Sequence, residues 1–118
     1  MKEAAKGEDF LGKTFRVEFD RPLGSSHPNY GWKYPFNYGF VPGHFAGDGE
    51  EIDAYYLSSD KPLKQIEGVC VGYVHRLDDN EDKLILTDGE RYSVEELEEK
   101  LSFQEKWYKH KIILEDEQ

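Results

Sequence analysis

The stretch Gly68-Val69-Cys70-Val71-Gly72-Tyr73-Val74-His75-Arg76, followed by an acidic turn and then Lys83-Leu84-Ile85-Leu86-Thr87, decides the fold. Two short apolar runs rich in β-branched residues and separated by Asp78, Asp79, Asn80, Glu81 and Asp82 read as a β-hairpin. Upstream, residues 14–20 alternate: Phe15, Val17 and Phe19 share one face, and Arg16, Glu18 and Asp20 share the other. That period of two marks a half-buried strand with Arg16 and Glu18 side by side on its polar face. Residues 21–33 hold two prolines and two glycines and read as a loop. Pro35, Gly39, Pro42, Gly43, Gly47 and Gly49 keep residues 34–50 extended and turning, because proline and glycine both oppose a helix there. A further short strand is expected over 52–57.

Downstream, Ser93 followed by Glu96 has the form of a capping box, with Leu97 and Leu101 as an apolar stripe. Glutamates crowd the start of this helix, while Lys106, Lys109 and Lys111 lie late, as the helix dipole favours. Ser102 and Glu105 could cap a second helix, so one helix or two remain open. The expected fold class is mainly β (α+β): a small, mostly antiparallel sheet, closed or partly open as a barrel, with a C-terminal helix across it. The expected organisation is a flexible N-terminal extension over 1–13, one domain over 14–114 and an acidic tail over 115–118.

A chain of 118 residues supports one core, and its 7 Phe, 8 Tyr and 2 Trp must fill much of it. The net charge of −10 disfavours nucleic acid, whose binding relies on Lys and Arg displacing counterions. No apolar run is long enough to span a membrane, and no leader is evident. The single cysteine, Cys70, has no intrachain partner, so a cytoplasmic location is the expectation.

The density of carboxylates is more telling. Asp48, Glu50, Glu51 and Asp53 fall within six residues, and Asp78, Asp79, Glu81 and Asp82 within five. Such groups repel one another unless cations lie between them, and hard oxygen ligands select Mg²⁺, Mn²⁺ or Ca²⁺. Asp78-x-Asn80-x-Asp82 imitates the start of an EF-hand loop, but Lys83 stands where that loop needs glycine. The four histidines show no ligand spacing. Hydrolysis of a phosphoanhydride needs converging carboxylates to hold cations, and bases and hydroxyls to hold the remaining phosphate oxygens.

Several motifs together carry a family resemblance. Asp48-Gly49-Glu50-Glu51-Ile52-Asp53-Ala54 follows the pattern aspartate, small or polar, aspartate, proline or glutamate, aliphatic, aspartate, small or aliphatic, departing from it at Glu50. Tyr34-Pro35-Phe36-Asn37-Tyr38-Gly39-Phe40 precedes it, and Tyr108-Lys109 and Arg16-Val17-Glu18 flank the domain. In these segments the sequence resembles the soluble, Mg²⁺-dependent inorganic pyrophosphatases, over roughly residues 14–111. The family's arginine upstream of the tyrosine-proline pair is replaced here by the Ser26–His27 region.

The resemblance implies a five-stranded OB-like barrel and hydrolysis of pyrophosphate to two phosphates by a metal-activated water. It implies Mg²⁺ as cofactor, with Mn²⁺ as the alternative. The implied metal ligands are Asp48, Asp53, Asp78 and Asp82, with Glu18 as an outer or additional one. Glu50 takes the place of the carboxylate that receives the water's proton. Arg16, Lys83, Tyr38, Tyr108 and Lys109 are implied to contact phosphate. The expected partner is a small-molecule substrate, pyrophosphate, with neither nucleic acid nor membrane; a homo-oligomer stays open. Two other readings compete: a hydrolase of a nucleotide or organic diphosphate, and a non-catalytic domain that binds divalent ions or phosphate.

Overall fold

A computed structural model describes residues 5–79 and 81–115. Among the described residues a short 3-10 turn (Gly7–Asp9) leads into six strands and one α-helix, in chain order β1 (Thr14–Arg21), β2 (Asn37–Phe45), β3 (Glu51–Tyr56), β4 (Gln65–Arg76), β5 (Asp82–Thr87), α1 (Val94–Glu105) and β6 (His110–Leu114). The strand order is β1-β2-β3-β5-β4, and β1 pairs back onto β4, so five strands close into the expected barrel. All neighbours are antiparallel except β3 and β5, whose parallel pairing sets Asp53 opposite Lys83. The outer edge of β4 is shared: β1 takes its first half, and β6 pairs with Gly72 through Arg76. Closure leaves few open edges for other strands to join.

Alternation splits the apolar residues between two cores. Inward-facing Val17, Phe19, Ile52, Ala54, Leu84 and Leu86 fill the barrel. Outward-facing Tyr38, Tyr55, Ile85 and Val74 pack beneath Leu97 and Leu101 of α1. The helix starts as its sequence requires: Ser93 accepts from the Glu96 amide, and Glu96 accepts from the Ser93 amide. Such caps contribute about 1 kcal/mol. Glycine is obligatory at Gly39, where a Cβ would lie 1.8 Å from the Glu18 carbonyl oxygen, because β1 and β2 approach closely at a bulge.

Two expectations need correction, and the choice between one helix and two is decided. The described part of the supposed flexible extension, residues 5–13, is docked: Phe10 is buried in the barrel core, the Ala5 amide donates to Phe45, and Gly7 lies flat against the Tyr73 ring. The helix is single and ends at Glu105; Ser102 does not cap a second one but donates to the Glu99 carbonyl. Tyr108 and Lys109 therefore lie in the turn after α1, and Lys111 lies in β6, a strand the sequence reading missed. Residues 1–4, Asn80 and 116–118 lie outside the described residues.

Candidate active site

The parallel register of β3 and β5 builds the centre of the site. Asp53 and Lys83 occupy one rung, with Phe40 and then Glu18 continuing it across β2 and β1. The Lys83 ammonium pairs with Asp53 and, at 3.1 Å, with Glu81. Burial works against the charged lysine, but Asp53 outweighs it, so the ammonium is held above its ordinary pKa. Asp48, Glu50, Glu51, Asp53, Glu81 and Asp82 line the small cleft around it. Its free volume is about 20 Å³, room for one water-sized body.

Glu81 was not singled out from the sequence; standing just ahead of β5, its carboxylate reaches the Lys83 ammonium inside the cleft. Asp82 accepts from the Gly7 amide at 2.7 Å and meets His75 Nδ1 at 2.6 Å, at the cleft's rim. Asp48 and Glu81 both line the cleft and influence one another's charge. Asp48 is lowered first by the Glu50 amide (2.9 Å), while Glu81 is raised first by burial.

The other expected residues are spread around this centre. Glu18 is on the same outer face but across Phe40, about 10 Å from Asp53 at strand spacing, and it forms an exposed 3.1 Å pair with Arg16. Tyr38 lies beneath the cleft, its ring 4.7 Å from that of Tyr55. Burial, followed by the charge of Asp53, holds its hydroxyl well above the usual range, so it stays a neutral donor. Asp78 is outside the cleft and caps the turn by accepting from the Lys109 amide at 2.8 Å. Asp20, on β1, is raised by burial, with Asp53 adding to it against local opposing contacts.

A buried polar chain underlies the site. Glu105 receives two 2.9 Å hydrogen bonds from Arg76 and one of 2.6 Å from Tyr55, and Gln104 donates to Tyr55. Tyr34 donates to Gln104 and accepts from Arg21. The Arg76 guanidinium lies 3.9 Å from the centre of the Tyr108 ring, a cation–π contact that holds that ring in place. Burial penalises Glu105, but Arg76 overcompensates and holds the carboxyl below the usual range.

A larger cavity, about 700 Å³, lies elsewhere, between residues 5–15 and the end of β2. It contains no comparable cluster of carboxylates and cation. Chemistry, not size, identifies the candidate site.

A family model described as inorganic pyrophosphatase matches residues 9–117. Among solved structures, the inorganic pyrophosphatase from Ehrlichia chaffeensis is 19% identical, with 95% of this chain and 92% of that one covered and a TM-score of 0.70. The Thermus thermophilus pyrophosphatase is 24% identical, covering 75% of this chain and 62% of that one, with a TM-score of 0.53. That of Neisseria gonorrhoeae is 23% identical over 75% and 61%, with a TM-score of 0.51. The chain thus spans less than two thirds of the latter two. At these identities the structural likeness establishes the barrel, and the family model establishes kinship.

Proposed function

The chain belongs to the inorganic pyrophosphatase family, and on that premise we propose that its acidic cleft hydrolyses inorganic pyrophosphate to two phosphates with a divalent cation, Mg²⁺ or Mn²⁺. The observation that carries this reading is the set of carboxylates, Asp48, Glu50, Asp53 and Glu81, gathered around the single Lys83 ammonium. Among the described residues, no three His, Cys, Asp or Glu side chains stand close enough to hold an ion as they are. The donor set nevertheless fits one: every donor is a hard oxygen, and the only positive charge now among them is the lysine. Asp48, Asp53 and Glu81 would hold the ion, with Asp82 at the rim and Glu18 and Asp78 farther out.

When bound, such an ion acidifies a water and neutralises phosphoryl oxygens. The chain supplies the rest. Glu50, exposed on the acidic turn, accepts the proton of the attacking water. Lys83, no longer needed to balance Asp53 and Glu81, meets a phosphate oxygen. Tyr38 donates from below, and Tyr108, Lys109 and Arg16 receive the departing phosphate at the mouth. Among the described residues no helix is long and apolar enough to cross a membrane, and the buried, unpaired Cys70 suits a reducing compartment such as the cytoplasm.

The test of this division of labour is Glu50→Gln. Steady-state phosphate release should give a kcat lowered by about 10²-fold or more, with metal affinity from calorimetry little changed. Equal losses in both would make Glu50 a ligand instead.

A further inference from the structure

Strand β1 does not keep its alternation to the end. Glu18 faces Phe40 and Arg21 faces Tyr38, so three steps along β1 match two along β2, and the extra residue is a bulge. Val17 and Phe19 point into the barrel, and unbroken alternation would send Arg21 in after them. The bulge turns it outward instead. Its guanidinium donates to the Tyr34 hydroxyl at 3.1 Å, and Tyr34 belongs to the outer core with Tyr38 and Tyr55. Half-buried Arg21 thus shares a rung with Tyr38 and Tyr55, next to the rung of Asp53 and Lys83 and about 7 Å from it along the strands.

Its partner sets Arg21 apart. The other arginines each meet a carboxylate: Arg16 with Glu18, Arg76 with Glu105 and Arg91 with Glu115. Among the described residues Arg21 meets only a phenol, whose own proton goes to Gln104. From Gln104 the hydrogen bonds run through Tyr55 to Glu105, whose charge Arg76 balances. Arg21 is held in place without being neutralised, and most of its donors are left for another acceptor. Burial raises the Asp20 carboxyl, and upon it Arg21 and Asp53 act in opposite senses, so the charge of Arg21 is felt where that of the cleft is felt.

We propose that Arg21 is a substrate-binding residue whose guanidinium holds an oxygen of the phosphate on the Tyr38 side of the acidic cleft. A guanidinium suits that ligand, since its flat fork meets two oxygens of one phosphate at once. Anchoring by a neutral hydroxyl fixes the fork and leaves its charge intact, as preorganised stabilisation of an anion requires. Lys83 on the Asp53 rung and Arg21 on the next give the two phosphates of one substrate separate cations. This role rests on the cleft's being a pyrophosphate site.

Two measurements on the whole chain with Mg²⁺ test it: calorimetry with methylene diphosphonate, which resists hydrolysis, and steady-state phosphate release from pyrophosphate. Arg21→Met keeps the stem and removes the fork. Diphosphonate Kd and pyrophosphate KM should each rise about 10-fold to 100-fold, the scale of one hydrogen bond to a charged group, with kcat little changed. Arg21→Lys, which keeps the charge without the fork, should fall between Arg21→Met and the parent. Millimolar guanidinium chloride should restore part of the affinity lost by Arg21→Ala, a rescue that a merely structural arginine does not give. Lys13→Met removes the same charge just before the opposite end of β1 and should change neither constant. Folded Arg21→Met with parental Kd and KM, or Lys13→Met weakened as much, overturns the proposal. So does a loss confined to melting temperature and kcat. Arg21-dependent diphosphonate binding in a parent that releases no phosphate leaves this role standing and removes the proposed function; release at a parental KM by Arg21→Met does the reverse.

Discussion

Replacing Glu105 with glutamine exposes how much of this small barrel hangs on one buried charge pair. Glu105 is 1% exposed, and its carboxylate neutralises Arg76, which is 6% exposed, through two hydrogen bonds of 2.9 Å. Glutamine retains the shape and one acceptor for Tyr55 but leaves a guanidinium buried without its counter-charge. Removing one member of such a pair costs about 3–5 kcal/mol; the retained acceptor puts this variant near the lower figure, about 3 kcal/mol. That is a large share of the roughly 5–15 kcal/mol typical of a domain. The double variant Arg76→Met with Glu105→Leu removes both charges and should recover to within about 2 kcal/mol of the parent, because hydrophobic replacement of a whole pair is close to neutral. Urea denaturation of the parent, the single variants Arg76→Met and Glu105→Leu, and the double gives the coupling energy directly. A loss below about 1 kcal/mol for Glu105→Gln, or a double variant as unstable as the sum of the singles, would refute the argument.

Glu81→Gln should reduce turnover or metal affinity about 10-fold to 100-fold with the fold intact, whereas Asp82→Asn, whose carboxylate serves Gly7 and His75, should chiefly lower the melting temperature; kinetics and thermal denaturation on both variants check the assignment. Burial lowers His110, but Glu98 at 2.7 Å and the Tyr108 carbonyl outweigh it and leave its pKa raised. Its stabilising contribution is thus complete below the unfolded value of about 6.5 and disappears as pH rises through the folded one, so stability should fall across that interval in the parent and less in His110→Gln, as urea titrations at several pH values will record. Gly39→Ala should cost about 3 kcal/mol or more in the same assay, since a Cβ there collides with the Glu18 carbonyl.

The barrel strands could be read because each carries its own periodicity: Phe15, Val17 and Phe19 alternate with charge, and β4 and β5 are apolar runs around an acidic turn. The capping box at Ser93 and Glu96 likewise marked the helix start from local chemistry alone. The helix end was not legible. No glycine or proline follows Glu105 before residue 115, and the lysines beyond it mimic a dipole-complementing last turn. The free edge of β4 then recruits His110–Leu114 as a strand, a tertiary effect that outweighs local preference.

The site divides in the same way. Asp48, Glu50 and Asp53 lie on one short turn and strand, so one motif brings them together. Glu81 precedes β5, and only the pairing of β3 with β5 brings it and Lys83 up to Asp53. Arg76 and Glu105 are 29 residues apart, and each looks like a surface charge in its own segment. Only the packing of α1 on the sheet joins them. Phe10, similarly, reads as part of a polar leader until Gly7 allows the chain to lie against Tyr73.

Phosphate release from pyrophosphate tests the central claim most directly, measured for the parent with Mg²⁺ and with chelator and for an Asp53→Asn variant shown by circular dichroism to be folded. The account predicts rapid Mg²⁺-dependent release by the parent, abolished by chelator and by Asp53→Asn. No release from folded parent protein, or release at a near-normal rate by Asp53→Asn, would contradict it.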